Sequence, residues 1–267
     1  MAYAWVQSVQ NSANSATISV SPSAGNLLVL ASFTSSGAGN PLLTQVQDNN
    51  SVNWTQAIAT QAIVSSYVTY YYLQNCEAGI TSATCTYNGG PPGTIVTTIT
   101  EYSGIATTGA LLGSVSNTQT SPGTGTDILT STNFNVTTQP ALIYGQMWNP
   151  QNDTAGAAGT GFTNRFVPSN YGGRVEDKRV TATGNTAATF TLGGSGTDTF
   201  ITFLLAFAES GGGGSPFNKM FFTGTIGLSP LAWVIQRRNQ LRRERERAMA
   251  DVFAAEKARM DMLTRRR

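Results

Sequence analysis

Asn26-Leu27-Leu28-Val29-Leu30-Ala31-Ser32-Phe33 is the stretch on which the reading of this chain turns. It follows a Ser23-Ala24-Gly25 turn, is mostly apolar, and runs out into the Ser/Gly/Asn/Pro cluster of residues 35–41. A short apolar run bounded by turn residues has the length of a strand and is too short for an ordinary helix. The same grammar recurs in both directions. Residues 4–9 and 16–20 precede it, and residues 67–73, 94–102, 141–148, 186–192 and 199–207 follow. Turn clusters at 88–93 and 121–125 separate these runs, and no helical period is present before residue 217. Many short strands with such punctuation predict an all-β fold, an antiparallel β-sandwich of jelly-roll type. Leu28, Leu30, Phe33, Val96, Ile99, Leu142, Tyr144, Phe203 and Leu205 are expected in its core.

Composition narrows the chemistry. Only 11% of the 267 residues are charged, against about 25% in ordinary domains. Ser, Thr, Gly, Asn and Gln take their place, which suits strands with polar outer faces. Charge is also divided along the chain. Residues 1–233 carry five basic side chains and nine acidic ones, whereas residues 234–267 carry eleven basic and five acidic. A basic tail on a mildly acidic body implies a local electrostatic contact and not a nucleic-acid-binding protein throughout. There is no histidine, which removes the usual general base at neutral pH and the commonest metal ligand. Cys76 and Cys85 flank a turn-like stretch, so a hairpin disulfide and two separate buried thiols are both open. The first residues have neither a basic n-region nor an apolar h-region, and the expectation is a chain made without Sec export.

The chain divides into a β-sandwich at 1–209, a Gly-rich linker at 210–216, an apolar segment at 217–235 and a basic amphipathic helix at 236–267. Residues 220–235 contain no charge but include Gly224, Gly227 and Pro230. A membrane-spanning helix needs about 20 apolar residues, so burial against a neighbouring subunit is the preferred reading. Met220, Phe221, Phe222, Ile226, Leu228, Trp233 and Ile235 supply its apolar contacts. Further on, Leu241, Met249, Val252, Phe253, Met260 and Leu263 fall largely on one helical face. A stripe of this kind needs something to cover it: a second copy, a partner protein or a membrane surface. Arg237, Arg238, Arg242, Arg243 and Arg265, Arg266 and Arg267 are candidates for contact with an acidic protein surface, anionic lipid or nucleic acid.

Three constellations could carry other chemistry. Glu101, with Glu176 and Asp177, supplies carboxylates of the kind glycosidases use. The blander reading is a strand-end Glu101 held by hydrogen bonds and a solvated charged turn at 176–177. Asp48 and Asn50 belong to an oxygen-rich loop that is a weak calcium candidate, although Asx-rich turns are common without metal. Trp54, Tyr70, Tyr72 and Trp148 are candidates for stacking on a glycan, with core packing as the default.

Several stretches together carry a resemblance. They are residues 23–30, Asp48 followed by Asn53-Trp54-Thr55, Tyr70-Tyr-Tyr-Leu-Gln-Asn75 with Ala78-Gly79, Glu101-Tyr-Ser-Gly104, Pro140-Ala-Leu-Ile-Tyr144, and residues 199–209. Over roughly residues 3–209 the chain resembles a family of bacterial and phage β-sandwich domains found in surface and virion proteins. The resemblance implies a lectin/glucanase-type jelly roll (the concanavalin A-like kind), and it transfers no catalytic residue and no cofactor. The chain departs from the family's usual setting as a lone sandwich, without further repeats, that ends in a basic helix.

The expectation is therefore a non-enzymatic structural or display protein: a bacteriophage virion component, capsid-associated, decoration or fibre-like. Its expected partners are other copies of itself and other virion proteins. The alternatives are a secreted or cell-surface glycan-binding module and, behind it, a glycoside hydrolase.

Overall fold

The computed structural model describes residues 2–211 apart from 12–13, 36–40, 89–92, 122, 124–126, 150–154, 169–172 and 193–197. The expected apolar segment and basic helix, with every anchor and arginine candidate from Met220 to Arg267, lie outside the described residues, as does most of the expected linker.

The described chain contains strands and no helix. In the first half these are β1 (Ala4–Gln10), β2 (Thr17–Ser19), β3 (Leu27–Ser35), β4 (Leu42–Asp48), β5 (Thr55–Ile63), β6 (Ser66–Leu73), β7 (Ser82–Asn88) and β8 (Thr94–Ser103). They form one sheet of order β1-β8-β3-β6-β5 and another of order β2-β7-β4, all antiparallel. First pairs with last, second with seventh and third with sixth, which is the nested connectivity of a jelly roll.

The second half repeats it. Its strands are β9 (Leu111–Thr120), β10 (Ile128–Thr130), β11 (Phe134–Val136), β12 (Ala141–Trp148), β13 (Ala155–Ala158), β14 (Thr163–Phe166), β15 (Arg174–Val180), β16 (Gly184–Thr186), β17 (Thr189–Leu192) and β18 (Thr199–Ala208). The sheet order is β14-β15-β12-β18-β9, with β10-β17-β13 and the pair β11-β16 beside it. If β10 and β11 count as one broken strand and β16 and β17 as another, the pairing scheme matches that of the first half. The expected lone sandwich is thus two jelly rolls in tandem.

Side-chain alternation explains how they stack. Leu28 and Leu30 of β3 pack with Ile18, Val46, Cys85 and Ile99, filling the space between the two sheets of the first roll. Leu27, Val29, Ala31 and Phe33 point the other way, into a cluster with Leu142, Tyr144, Trp148, Phe203, Leu205 and Phe207 of the second roll. The second roll has its own cluster around Ile143, Met147, Phe190, Leu192 and Leu204. There are therefore four layers with three cores between them, and the two five-stranded sheets form the middle. A middle strand is buried on both faces, which is why β3, β12 and β18 are apolar runs without alternation. All nine expected core residues are buried, but they divide between two clusters where one was expected.

Candidate functional site

Outside the cores, the chemistry-bearing side chains of the body lie where strands must be tied together. Glu101 on β8 is fully buried. Its Oε1 accepts from the Ser23 backbone N–H at 2.9 Å and the Asn26 side-chain amide at 2.6 Å, and its Oε2 accepts from the Gln7 amide at 2.5 Å. One carboxylate thereby joins β1, β8 and the turn into β3. The hydrogen-bonded strand residue was the blander expectation, and this geometry matches it.

Glu176 and Asp177 do not lie in a solvated turn. They occupy β15 in the second five-stranded sheet, and both are buried. The sequence misleads here because Arg174, Lys178 and Arg179 surround them, and a strand with that much charge reads as surface. Consecutive strand residues point to opposite faces, so the structure does not bring the two carboxylates together in one site. Glu176 faces the second roll's own interior and accepts from the backbone N–H groups of Gly159 (2.8 Å) and Thr189 (3.2 Å). Burial nevertheless pushes its pKa up to about 8. Asp177 faces the first roll. Its Oδ2 accepts from Arg165 Nε at 2.7 Å and its Oδ1 from the Tyr3 hydroxyl at 3.2 Å. Burial and the neighbouring Asp177 carboxylate hold the Tyr3 hydroxyl well above the usual tyrosine range. Arg165 in turn lies over the Trp5 ring, 5.7 Å from its centroid. At the end of β18, Glu209 receives a two-pronged contact from Arg179, at 2.6 and 2.8 Å.

Three of the four glycan candidates are core residues. Trp54 packs inside the first roll, while Tyr70 and Trp148 meet between the rolls, the indole N–H donating to the tyrosine hydroxyl at 2.9 Å. Tyr72 is half-buried, edge-on to Phe207. These four side chains therefore form no exposed stacking platform. The calcium candidate is an Asx turn: Asp48 Oδ1 accepts from the N–H groups of Asn50 and Val52, and the Asn50 amide donates to Ala78 O. Among the described residues no group of three or more His, Cys, Asp or Glu side chains is placed to hold a metal. Cys76 and Cys85 are separate buried thiols, so the disulfide left open by the sequence is not formed. Burial pushes the Cys85 thiol up to about 11.

Tyr3, Arg165, Arg179 and Glu209 escaped the sequence reading. The available signal was scarcity. With so few charges in the body, each one needs a reason to be there, and Arg165, Arg179 and Glu209 hold sheets or strand ends, whereas nothing in the sequence singled out Tyr3.

No protein-family model matches the chain, and no curated protein matches it. Among solved structures it is similar to one described as "Crystal Structure of the STIV MCP", with a TM-score of 0.27 and 9% identity over 83% of this chain and 99% of that one. A likeness at that score carries no argument about what this chain does.

Proposed function

We propose that this chain is a non-enzymatic structural component of a virion, with the two-roll body as its displayed part and residues 217–267 as its attachment. The observation that supports it best is the use to which the body puts its carboxylates. Glu101, Asp177 and Glu209 each receive fixed donors from other segments of the body, so the buried carboxylates tie the body together. The tail supplies the second support. Its apolar segment and the stripe through Leu241, Val252 and Leu263 need a partner to cover them, and its arginines suit an acidic one.

Mass spectrometry of purified virions tests the reading directly, and absence of the chain from them overturns it. A companion experiment compares the full chain with one ending at residue 211. The full chain should join a multi-copy assembly, whereas the shortened chain should stay soluble and melt cooperatively but fail to assemble. Glycan-array binding by a monomer would replace this reading with a lectin, and hydrolysis lost in Glu101→Gln would replace it with a glycosidase.

A further inference from the structure

The two rolls face each other with a symmetry that a single sandwich has no need of. Arg165 of β14 covers Trp5 of β1 at one edge, and at the other edge the Ser114 hydroxyl of β9 donates to Ala57 O of β5 at 2.8 Å. Between these edges Phe33 of β3 stacks on Trp148 of β12, with ring centroids 5.6 Å apart. Tyr70 and Tyr72 of β6 meet Phe203 and Phe207 of β18. When each strand takes its number within its own roll, the order 1-8-3-6-5 lies against 5-6-3-8-1. Third faces third, and every other pairing occurs twice with its members exchanged. That is the layout of a two-fold, isologous contact, in which the same patch is used on both sides.

Smaller features obey the same exchange. The Tyr3 hydroxyl, just before β1, bonds to Asp177 on strand six of the second roll. The Ala110 N–H, just before β9, bonds to the Gln74 side chain just after strand six of the first roll, at 2.9 Å. Strand five is preceded by an aromatic residue and begins with threonine in both rolls, at Trp54-Thr55 and Phe162-Thr163.

We infer that the body is a covalently fused dimer of jelly rolls. The facing five-stranded sheets are a docking surface made for a second roll of the same strand order, and the connector at 104–110 is not what keeps the rolls together. The connector is secured at both ends by backbone bonds to the second roll's last strand and the residues after it. Ala106 N–H reaches Ala208 O, Ala208 N–H reaches Ala110 O and Ser210 N–H reaches Gly104 O. Between those bonds Thr107, Thr108 and Gly109 are exposed, so the chain can be opened there without touching the seam.

The test uses the full chain with a specific protease site inserted between Thr107 and Thr108 and cut after folding. The two fragments should co-elute at the size of the uncut protein. The reversible guanidinium midpoint of the cut protein should rise more steeply with protein concentration than that of the uncut chain, because unfolding now separates one further molecule. Fragments that separate or precipitate on cutting overturn the inference, and so does a midpoint of the cut protein no more sensitive to concentration than that of the uncut chain. A second, uncut variant carries a flexible Gly/Ser insertion of about a dozen residues at the same point, since loop length has only a weak effect on closure. Its midpoint should stay close to that of the wild type, and a collapse or a failure to fold shows that the connector, not the seam, organises the rolls.

Discussion

Raising the pH from 5 toward 9 should weaken the folded body, with Glu176 as the responsible group. Its carboxyl is buried on β15, and desolvation raises its pKa from 4.5 to about 8, against the opposing pull of the Gly159 and Thr189 N–H groups and of Arg174. In the unfolded chain the same carboxyl ionises near its ordinary value. Between these two values the folded state keeps a proton that the unfolded state has released, so folding is favoured at the acidic end. The contribution is complete below about pH 4.5, falls as the pH climbs and is gone once the folded group ionises near pH 8. Each pKa unit corresponds to about 1.4 kcal/mol, so the whole fall is on the order of 3–5 kcal/mol. The chain has no histidine, the side chain that would otherwise dominate this window.

Guanidinium denaturation at half-unit pH steps, on wild type and Glu176→Gln, reads the effect. Glutamine keeps one oxygen for one of the two backbone donors but sets its own N–H₂ against the other. The variant should therefore start about 1–2 kcal/mol below wild type at pH 5. It carries no ionisable group at this position, so its stability should then change little. The two curves should cross between about pH 6 and 7 and leave the variant the more stable at pH 9. Curves that run parallel across the whole range would refute the assignment to Glu176.

Leu28→Ala empties a fully buried site in the first roll and should cost about 2–5 kcal/mol in denaturant titration. Asp177→Asn leaves Arg165, on the neighbouring strand, and Tyr3, across the seam, facing a neutral amide; a loss of about 1–3 kcal/mol is expected, shrinking in an Arg165→Gln background where no cation remains to strand. Gly145→Ala places a methyl 2.8 Å from the Ala188 side chain and 2.9 Å from that of Glu176, so overpacking should lower stability by about 1–3 kcal/mol in the same assay.

The strands most legible in the sequence are those of the two middle sheets. Residues 141–148 coincide with β12, and the runs at 26–33, 94–102 and 199–207 fall within a residue or two of β3, β8 and β18. Burial on both faces makes such strands continuously apolar, and that signal survives without knowledge of the partner. The strands that escaped, β4, β5, β7, β9 and β14 among them, are rich in Thr, Gln, Asn and Ser and have at least one face toward water or a sheet edge. β15 escaped for the opposite reason. Its charges looked solvated, yet Glu176 and Asp177 are sequestered by donors drawn from Gly159, Thr189, Arg165 and Tyr3, all distant in sequence. The duplication was invisible because jelly-roll pairing is a property of topology. Sequence keeps only traces such as Trp54-Thr55 and Phe162-Thr163, and what it did contain was an unused clue. A strand such as β3, apolar at five consecutive positions from Leu27 to Ala31, needs a covering layer on each side, which one two-sheet sandwich cannot provide.

The treatment of sheet edges bears on how such a body can serve in a particle. Edge strands offer unpaired N–H and C=O groups to any neighbour, and proteins commonly blunt them with charge. β1, β5 and β9 contain no charged residue at all. What they have is irregularity. The register slips at Val6 in β1, twice in β5, and at Leu112 in β9, and β14 slips at Arg165. The edges β4 and β13 of the outer sheets slip as well. The ladders among the inner strands β3, β6, β8, β12, β15 and β18 run without interruption. Each slip is an extra residue on the edge strand, and a bulge there twists the strand away from straight pairing with a newcomer. A body bulged along its long, almost uncharged edges resists open-ended sheet growth without the mutual repulsion that edge charge would bring when copies crowd together. Under the proposed virion role, contacts between copies are then left to side-chain surfaces and to the basic residues beyond 216.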